Sequence, residues 1–320
     1  MSHELTQRAD GTVEFAYLAT DGTPWHGLGQ PMTDTATIDE WRVAAGMDWR
    51  IQRSKVRFAV DRDVSAPLVE MPDQHVLFRS DNKAPLGVVS SKYQVVQPGD
   101  VLEFFRNIVK VGGLDLSAAG TIYGGKRFWA TAKIGEMALT NRDEIGGYLL
   151  LSTSADGSLA TEARRTTVRV VCKNTLQMAL QGAADSVRIT HRSVFDSDAV
   201  KDFMGLNETA FAAFKAAAQT LAEKALHESE ASDFVAKLFG DGDKTRESAG
   251  FKKVMSLFNG AGMGAMNDGV FGTRWGLLNA VTEYADHHVR ARSDENRFVS
   301  AQWGASAHLK RQALDLLLAA

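Results

Sequence analysis

Residues Tyr148–Gln181 read YLLLSTSADGSLATEARRTTVRVVCKNTLQMALQ. Tyr148–Ser154 has the aliphatic and β-branched weight of a strand. Ala155-Asp156-Gly157-Ser158 supplies a tight turn, and Leu159 to about Arg165 reads as the returning strand. A further strand signal over Thr121–Ile134 precedes them, so the three form a meander. From Thr167 to Gln181 the period changes. Val168, Val171, Cys172, Thr175, Leu176, Ala179 and Leu180 fall on one stripe at helical spacing, which predicts a helix. The expected unit is β-β-β-α, with Arg164, Arg165, Arg169 and Lys173 gathered at the strand-to-helix junction.

Toward the N-terminus, the first twenty-odd residues lack helical periodicity and end in the glycine-punctuated TPWHGLG of Thr23–Gly29. Thr37–Gly46 has a threonine and acidic start and an apolar face through Ile38, Trp41 and Ala44, which predicts a short capped helix. Trp49–Val60 alternates as a strand, and His75–Ser80 and Leu86–Ser90 follow as two more. Gly99–Val111 places Val101, Leu102, Phe105, Ile108 and Val109 at helical spacing until Gly112-Gly113 stops the run. Toward the C-terminus the chain turns helical. Asp198–Gly240 is periodic and alanine-rich, Gly260–Gly272 is a glycine-rich break, and Arg274–His288 and Ser306–Ala319 predict terminal helices. The fold class expected is α+β: an antiparallel sheet with the β-β-β-α core unit and a mostly helical C-terminal region. Residues 1–197 would form the core with its N-terminal arm, and residues 198–320 the helical part, separate or packed on the same core.

With 44% hydrophobic and 23% charged residues, the 320-residue chain has ordinary globular composition and the length to bury a real core. No stretch offers the roughly 20 apolar residues of a membrane-spanning helix, and the start lacks a secretory pattern, so a cytoplasmic protein with no membrane partner is expected. A single cysteine, Cys172, excludes an intrachain disulfide and a cysteine-based zinc site. Net charge is −3, but its distribution is uneven. Residues 1–49 carry two basic and eight acidic side chains, 50–200 carry twenty and sixteen, and 201–320 carry fourteen and fifteen. Only the middle is net positive, which can place an electrostatic footprint on one face of an otherwise acidic protein.

Three basic clusters sit in that middle. Arg50, Arg53, Lys55 and Arg57 lie within eight residues that hold no acid. Lys126, Arg127, Trp129 and Lys133 interleave cations with aromatics, beside Tyr123 and Phe128. Arg164, Arg165, Arg169 and Lys173 form the third cluster, with Arg188 and Arg192 downstream. Cations neutralise phosphates and release counterions, while exposed aromatics stack on unpaired bases, so together the clusters suit a single strand. The plainer reading is sheet-face solvation or subunit contacts. Phe128 and Trp129 also point to opposite faces of a strand, so at least one belongs to the core.

Catalytic signatures are incomplete. Cys172 falls on the apolar stripe with Val168 and Leu176, where a thiol packs as a small hydrophobe, although His191 downstream invites a nucleophile reading. Glu283 and His287 share a helix face beside Asp286 and His288, but no HExxH pattern or third ligand accompanies them. His26 sits in a glycine-rich turn suited to local hydrogen bonding. Gly260-Ala261-Gly262-Met263-Gly264 lacks the downstream Lys-Ser/Thr of a nucleotide-binding loop. No cofactor or metal is expected.

The stretches TPWHGLG (Thr23–Gly29), VVSSKYQVVQPGDVLEFF (Val88–Phe105), RRTTVRVVCKNTLQMAL (Arg164–Leu180) and GTRWGLLNAVTEYADHH (Gly272–His288) resemble the phage/plasmid-like protein family, a domain of unknown function found in prophages, phages and plasmids. That resemblance implies replication, recombination or host-defence roles and transfers no catalytic residue. The β-β-β-α order is similar to single-strand annealing recombinases of the RecT and Redβ kind, which implies rings or filaments whose basic groove holds DNA; this likeness is topological. The function expected is therefore ATP-independent annealing of single-stranded DNA by a homo-oligomer, alongside host or phage recombination and replication proteins. The alternative is a non-enzymatic oligomeric interaction or anti-defence protein of a mobile element. A hydrolytic or nuclease-like enzyme using His26 or the Glu283–His288 group is a third reading.

Overall fold

The computed structural model describes residues 6–8, 10–24, 27–60, 67–112, 115–140, 143–169, 175–177, 186–193, 208–240, 242, 244–264 and 269–319. The chain divides into two compact units. One comprises Met1–Ala132, Leu150–Ala163 and Ser186–Leu206; the other comprises Lys133–Leu149, Arg164–Asp185 and Asn207–Ala320.

The first unit begins with β1 (Phe15–Leu18) and β2 (Gln30–Met32). They pair in parallel, and β1 also pairs antiparallel with β6 (Asp115–Ile122). Helix α1 (Ile38–Ala44) starts at the expected threonine cap, which the structure completes as a capping box. The Thr37 hydroxyl accepts the Glu40 N–H at 3.3 Å while the Glu40 carboxylate accepts the Thr37 N–H at 2.7 Å. Trp41 on its inner face is buried, and α1 packs on α2 (Pro98–Gly112), which matches the predicted Gly99–Val111 helix. Val101, Leu102 and Phe105 of α2 are fully buried, as the spacing requires, and Phe104 is buried beside them.

Strands β3 (Ile51–Ala59), β4 (Leu68–Arg79) and β5 (Pro85–Ser90) form a separate three-stranded antiparallel sheet. Its root is anchored by buried Ile51, Leu77, Leu86 and Val89. Beyond the pair Gln74–Ser90, β3 and β4 continue without β5 as a two-stranded ribbon, exposed along most of its length.

The larger sheet has the order β10-β9-β8-β7-β6-β1-β2, with β11 (Ser186–Ile189) also on β9. Its strands β7 (Arg127–Thr140), β8 (Asp143–Ser154) and β9 (Thr161–Arg169) are the expected meander, and each passes from one unit into the other. The single strand expected over Thr121–Ile134 is in fact β6 and β7 joined by a 3-10 turn at Tyr123–Gly125. The parallel β1–β2 pair makes this sheet mixed, where an antiparallel one was expected.

One expectation is overturned. The helix over Thr167–Gln181 is absent from the described residues of that span. Thr167–Arg169 completes β9, and Thr175–Gln177 forms β10 antiparallel to it, with Thr175 opposite Val168 and Gln177 opposite Thr166. Thr166, Thr167 and Val168 are β-branched, and their preference for a pleated ladder outweighs the helical spacing of the apolar positions there.

In the second unit the helices are α3 (Glu208–Glu223), α4 (Glu228–Leu238), α5 (Ala249–Ser256), α6 (Arg274–Glu283), α7 (Asp294–Trp303) and α8 (Ala305–Ala319). Phe214, Leu221, Val235, Val254, Leu257, Leu277, Leu278, Val281 and Leu314 form their shared core, with Met137 and Ile145 from β7 and β8. Residues Arg274 to Glu283 bury every side chain from Trp275 onward, so α6 is the central helix of the unit. The α+β class and the helical C-terminal region are as read from sequence; α7 was not foreseen.

Candidate nucleic-acid interface

In the first unit, segments far apart in sequence meet around Tyr93. Its ring stacks on His191 at 4.4 Å between centroids and 18° between planes. The Tyr93 hydroxyl donates to the Ser154 carbonyl at 2.8 Å, and burial pushes its ionisation well above the ordinary phenol range. His191 is held on both sides, with Nδ1 3.1 Å from the Gln94 carbonyl and Nε2 3.0 Å from the Leu159 carbonyl. The Gln94 N–H donates to the His191 carbonyl at 2.6 Å, which completes a clasp between the loop after β5 and the loop after β11.

Cations converge on this stack. From β3, the Arg53 guanidinium donates to the Tyr93 carbonyl at 2.6 Å. Arg192 follows His191 directly and Arg188 lies on β11; both are exposed. The turn Ala155–Ser158 borders the stack: a Cβ at Gly157 would stand 3.7 Å from the Tyr93 ring. That turn holds the Lys126–Arg127 pair. The Ala155 N–H donates to the Lys126 carbonyl at 2.7 Å, and Arg127 Nε donates to the Ser158 hydroxyl at 3.2 Å while its guanidinium lies 5.5 Å above the Tyr123 ring. Gly157 takes φ 75°, the left-handed conformation that this tight turn needs. The Asp156 carboxylate is engaged in the turn by the Ser158 N–H.

Arg50, just before β3, and the β3 cations Arg53, Lys55 and Arg57 are all exposed. Lys55 pairs with Glu70 of β4 at 2.6 Å, and the hydrogen bond from Lys55 holds the Glu70 carboxyl below the usual range. Arg50, Arg53, Arg57, Lys126, Arg188 and Arg192 thus present positive charge on the surface of one unit, with Arg127 half-buried beside them.

Other sequence candidates lie elsewhere. Trp129 is buried and packs 5.9 Å from Phe15, so it belongs to the core and not to a stacking surface; Phe128 is buried against Trp49. Arg164 and Arg165 are also buried, at 4% and 8% exposure. Arg164 donates to Gln302 at 3.0 Å and lies 5.3 Å above the Trp303 ring in the second unit. The open groove expected at these arginines is corrected accordingly: β9 carries them into a packed interior. Lys133 pairs with Glu136 at 2.8 Å. Arg169 is in β9, but its side chain, like Lys173, Cys172, Trp25 and His26, lies outside the described residues.

The C-terminal acid and histidine group is packed inward as well. Glu283 is buried and accepts the Met263 N–H at 3.0 and 3.2 Å, while Asp286 pairs with buried Lys310 at 2.5 Å. Burial, with the charges of Lys253, His287 and Arg297 nearby, holds His288 below the ordinary histidine range. Among the described residues no three histidine, cysteine, aspartate or glutamate side chains gather as a metal site. No described helix is long and apolar enough to cross a membrane.

The domain of unknown function designated DUF932 matches residues 85–303, more than half of the chain. The chain belongs to this family. No curated protein and no solved structure matches it. The DUF932 match opens at β5, so Tyr93, Lys126, Arg127, Arg188, His191 and Arg192 fall within it and the β3 cations lie before it.

The stack itself could not be read from sequence. Tyr93 and His191 are 98 residues apart, and no local spacing joins them. Its one sequence signal is the nearness of each to a cation, Lys92 and Arg192.

Proposed function

We propose that this DUF932 protein binds single-stranded DNA and anneals complementary strands without ATP, as a homo-oligomer serving recombination of a phage or other mobile element in the host cytoplasm. The observation that carries the reading is the Tyr93–His191 stack with Arg53 bonded to the Tyr93 carbonyl and Arg192 next to His191, in a unit that also exposes Arg50, Arg57, Lys126 and Arg188. Such a surface tracks a phosphate backbone by charge. The clasped stack gives it a rigid floor, so little order has to be imposed on the protein when a strand binds. Annealing needs no covalent step: the protein holds strands extended, and base pairing supplies the driving force.

Arg188→Gln combined with Arg192→Gln tests the reading. Both side chains are exposed, so folding is unaffected. Binding of a fluorescent unstructured oligonucleotide should weaken, and the slope of log affinity against log salt should fall by about 0.7 for each phosphate that the variant no longer neutralises. Unchanged affinity and slope would remove this surface from the account.

A further inference from the structure

His191 faces more acceptors than a neutral ring can serve. Its Nδ1 lies 3.1 Å from the Gln94 carbonyl and its Nε2 lies 3.0 Å from the Leu159 carbonyl. A neutral imidazole has one N–H and one lone pair, so one of these nitrogens would turn its lone pair on a carbonyl oxygen at contact distance. With both nitrogens protonated, both contacts are hydrogen bonds. The Tyr93 ring adds a second reason. It stacks on His191 at 4.4 Å between centroids, and a cation within about 6 Å of the face of an aromatic ring is attracted to it. We infer that His191 is an imidazolium in the closed clasp and a positioning residue of the cationic surface. Its second proton ties the loop after β5 and the β8–β9 turn to the loop after β11, and loss of that proton loosens all three.

Charges of both signs surround the ring. Lys92 and Arg192 adjoin the stacked pair along the chain, Arg188 lies on β11, and Arg53 donates to the Tyr93 carbonyl. Lys126 and Arg127 are bonded to the Ala155–Ser158 turn beside the stack. These cations oppose a further positive charge, whereas Asp156, whose charge reaches Tyr93 from that turn, favours it. Lys92, Arg53, Lys126, Arg188 and Arg192 are all exposed, where water and salt screen them. The two carbonyls touch the ring nitrogens directly, so they decide its state. The Tyr93 hydroxyl takes no part, being committed to the Ser154 carbonyl. The clasp is therefore complete at low pH and weakens as pH rises and the ring gives up a proton. Arg53 is fixed through the Tyr93 carbonyl and Arg192 through its neighbour His191, so opening the clasp removes one positive charge and frees the cations that flank it. The consequence for strand binding rests on the proposed function; the charge of the clasp does not.

NMR of the full chain carrying isotope-labelled histidine, followed over about pH 5–8 where histidine side chains change charge, reads the ring directly. Amide exchange of Gln94 reads the clasp, because the Gln94 N–H donates to the His191 carbonyl at 2.6 Å. While Gln94 is protected, both ring nitrogens of His191 should bear protons. As one proton leaves, the protection of Gln94, corrected for the base catalysis of exchange itself, should fall at least about tenfold, the worth of one hydrogen bond from a charged donor. His191→Phe keeps a ring on Tyr93 but donates nothing, and should leave Gln94 in fast exchange at every pH, with thermal melting confirming the fold. A bare ring nitrogen while Gln94 stays protected overturns the inference, and so does protection that is indifferent to the titration of the ring. Both readings come from the parent protein alone. Oligonucleotide affinity over the same pH range separates this inference from the DNA reading. Parent affinity should fall as pH rises, and His191→Phe should remove that dependence. Linked titration and exchange in a protein that binds no DNA overturns only the DNA reading. A pH profile of binding that is the same in parent and variant overturns the positioning role.

Discussion

Arg79 shows how single residues hold the first unit together. Its guanidinium is buried and reaches Glu14 at 2.6 and 3.1 Å, Asp81 at 2.8 and 3.0 Å, and the Gly124 carbonyl at 3.3 Å, while lying 4.3 Å above the Trp49 ring. Glu14 is equally buried, and the Thr121 hydroxyl donates to it. Arg79→Met would leave the buried Glu14 carboxylate with only the more distant Arg8, at 3.9 Å, as counterion, and breaking such a buried pair costs about 3–5 kcal/mol. Urea unfolding should show it as a lower midpoint at unchanged slope. Asp81 adds a dependence on pH. Burial works to raise its pKa, but the hydrogen bond from Arg79 and the Asn82 N–H outweigh burial and hold the carboxyl below its ordinary value. Its stabilisation is therefore complete above the unfolded value of about 4 and is lost as pH falls through the lowered folded value. Asp81→Asn should flatten the acid limb of the stability curve below about pH 4; an identical limb would show that Asp81 carries none of it. None of this was legible beforehand, because Glu14 and Arg79 are 65 residues apart and each looks like a surface charge in its own segment.

At the scale of elements, sequence reading succeeded where the signal was local. The Thr37 cap of α1, the α2 periodicity and the Asp156-Gly157 turn all depend on residues within a few positions of one another. Thr37→Ala should lower stability by about 1 kcal/mol by urea titration, since both halves of the box are made. The reading failed at Thr167–Gln181, where helical spacing and β-branched composition conflict and pairing with β9 decides in favour of β10. That failure changes which cations are open to solvent. Arg164 and Arg165, expected at an open junction, are interior residues of a continuing strand, whereas the β3 cations and Lys126 are exposed. The β3–β4 ribbon also carries its own adjustable charge. Glu70 is the partner of Lys55, so Glu70→Gln should free that cation and steepen the salt dependence of DNA binding by about 0.7. A slope equal to the parent's would show that the ribbon stays off the DNA.

For the whole molecule, α+β composition and a helical C-terminal third were readable from period and propensity, because these signals accumulate over many residues. Convergence was not. The Tyr93–His191 clasp is made by loops brought together through the sheet, and only the fold tells the exposed cations from the buried ones. The result is a chain of net charge −3 in which Arg50, Arg53, Arg57, Lys126, Arg188 and Arg192 are exposed cations of one unit; the proposed strand-holding role draws on that exposed charge. The most direct test of that claim is the affinity of the purified parent protein for an unstructured single strand and for its duplex, measured across a salt series. The account predicts binding that prefers the single strand and weakens steeply and linearly in log salt, with a slope of several times about 0.7 for the several exposed cations involved. Equal affinity for the duplex, or no binding at low salt, would contradict it.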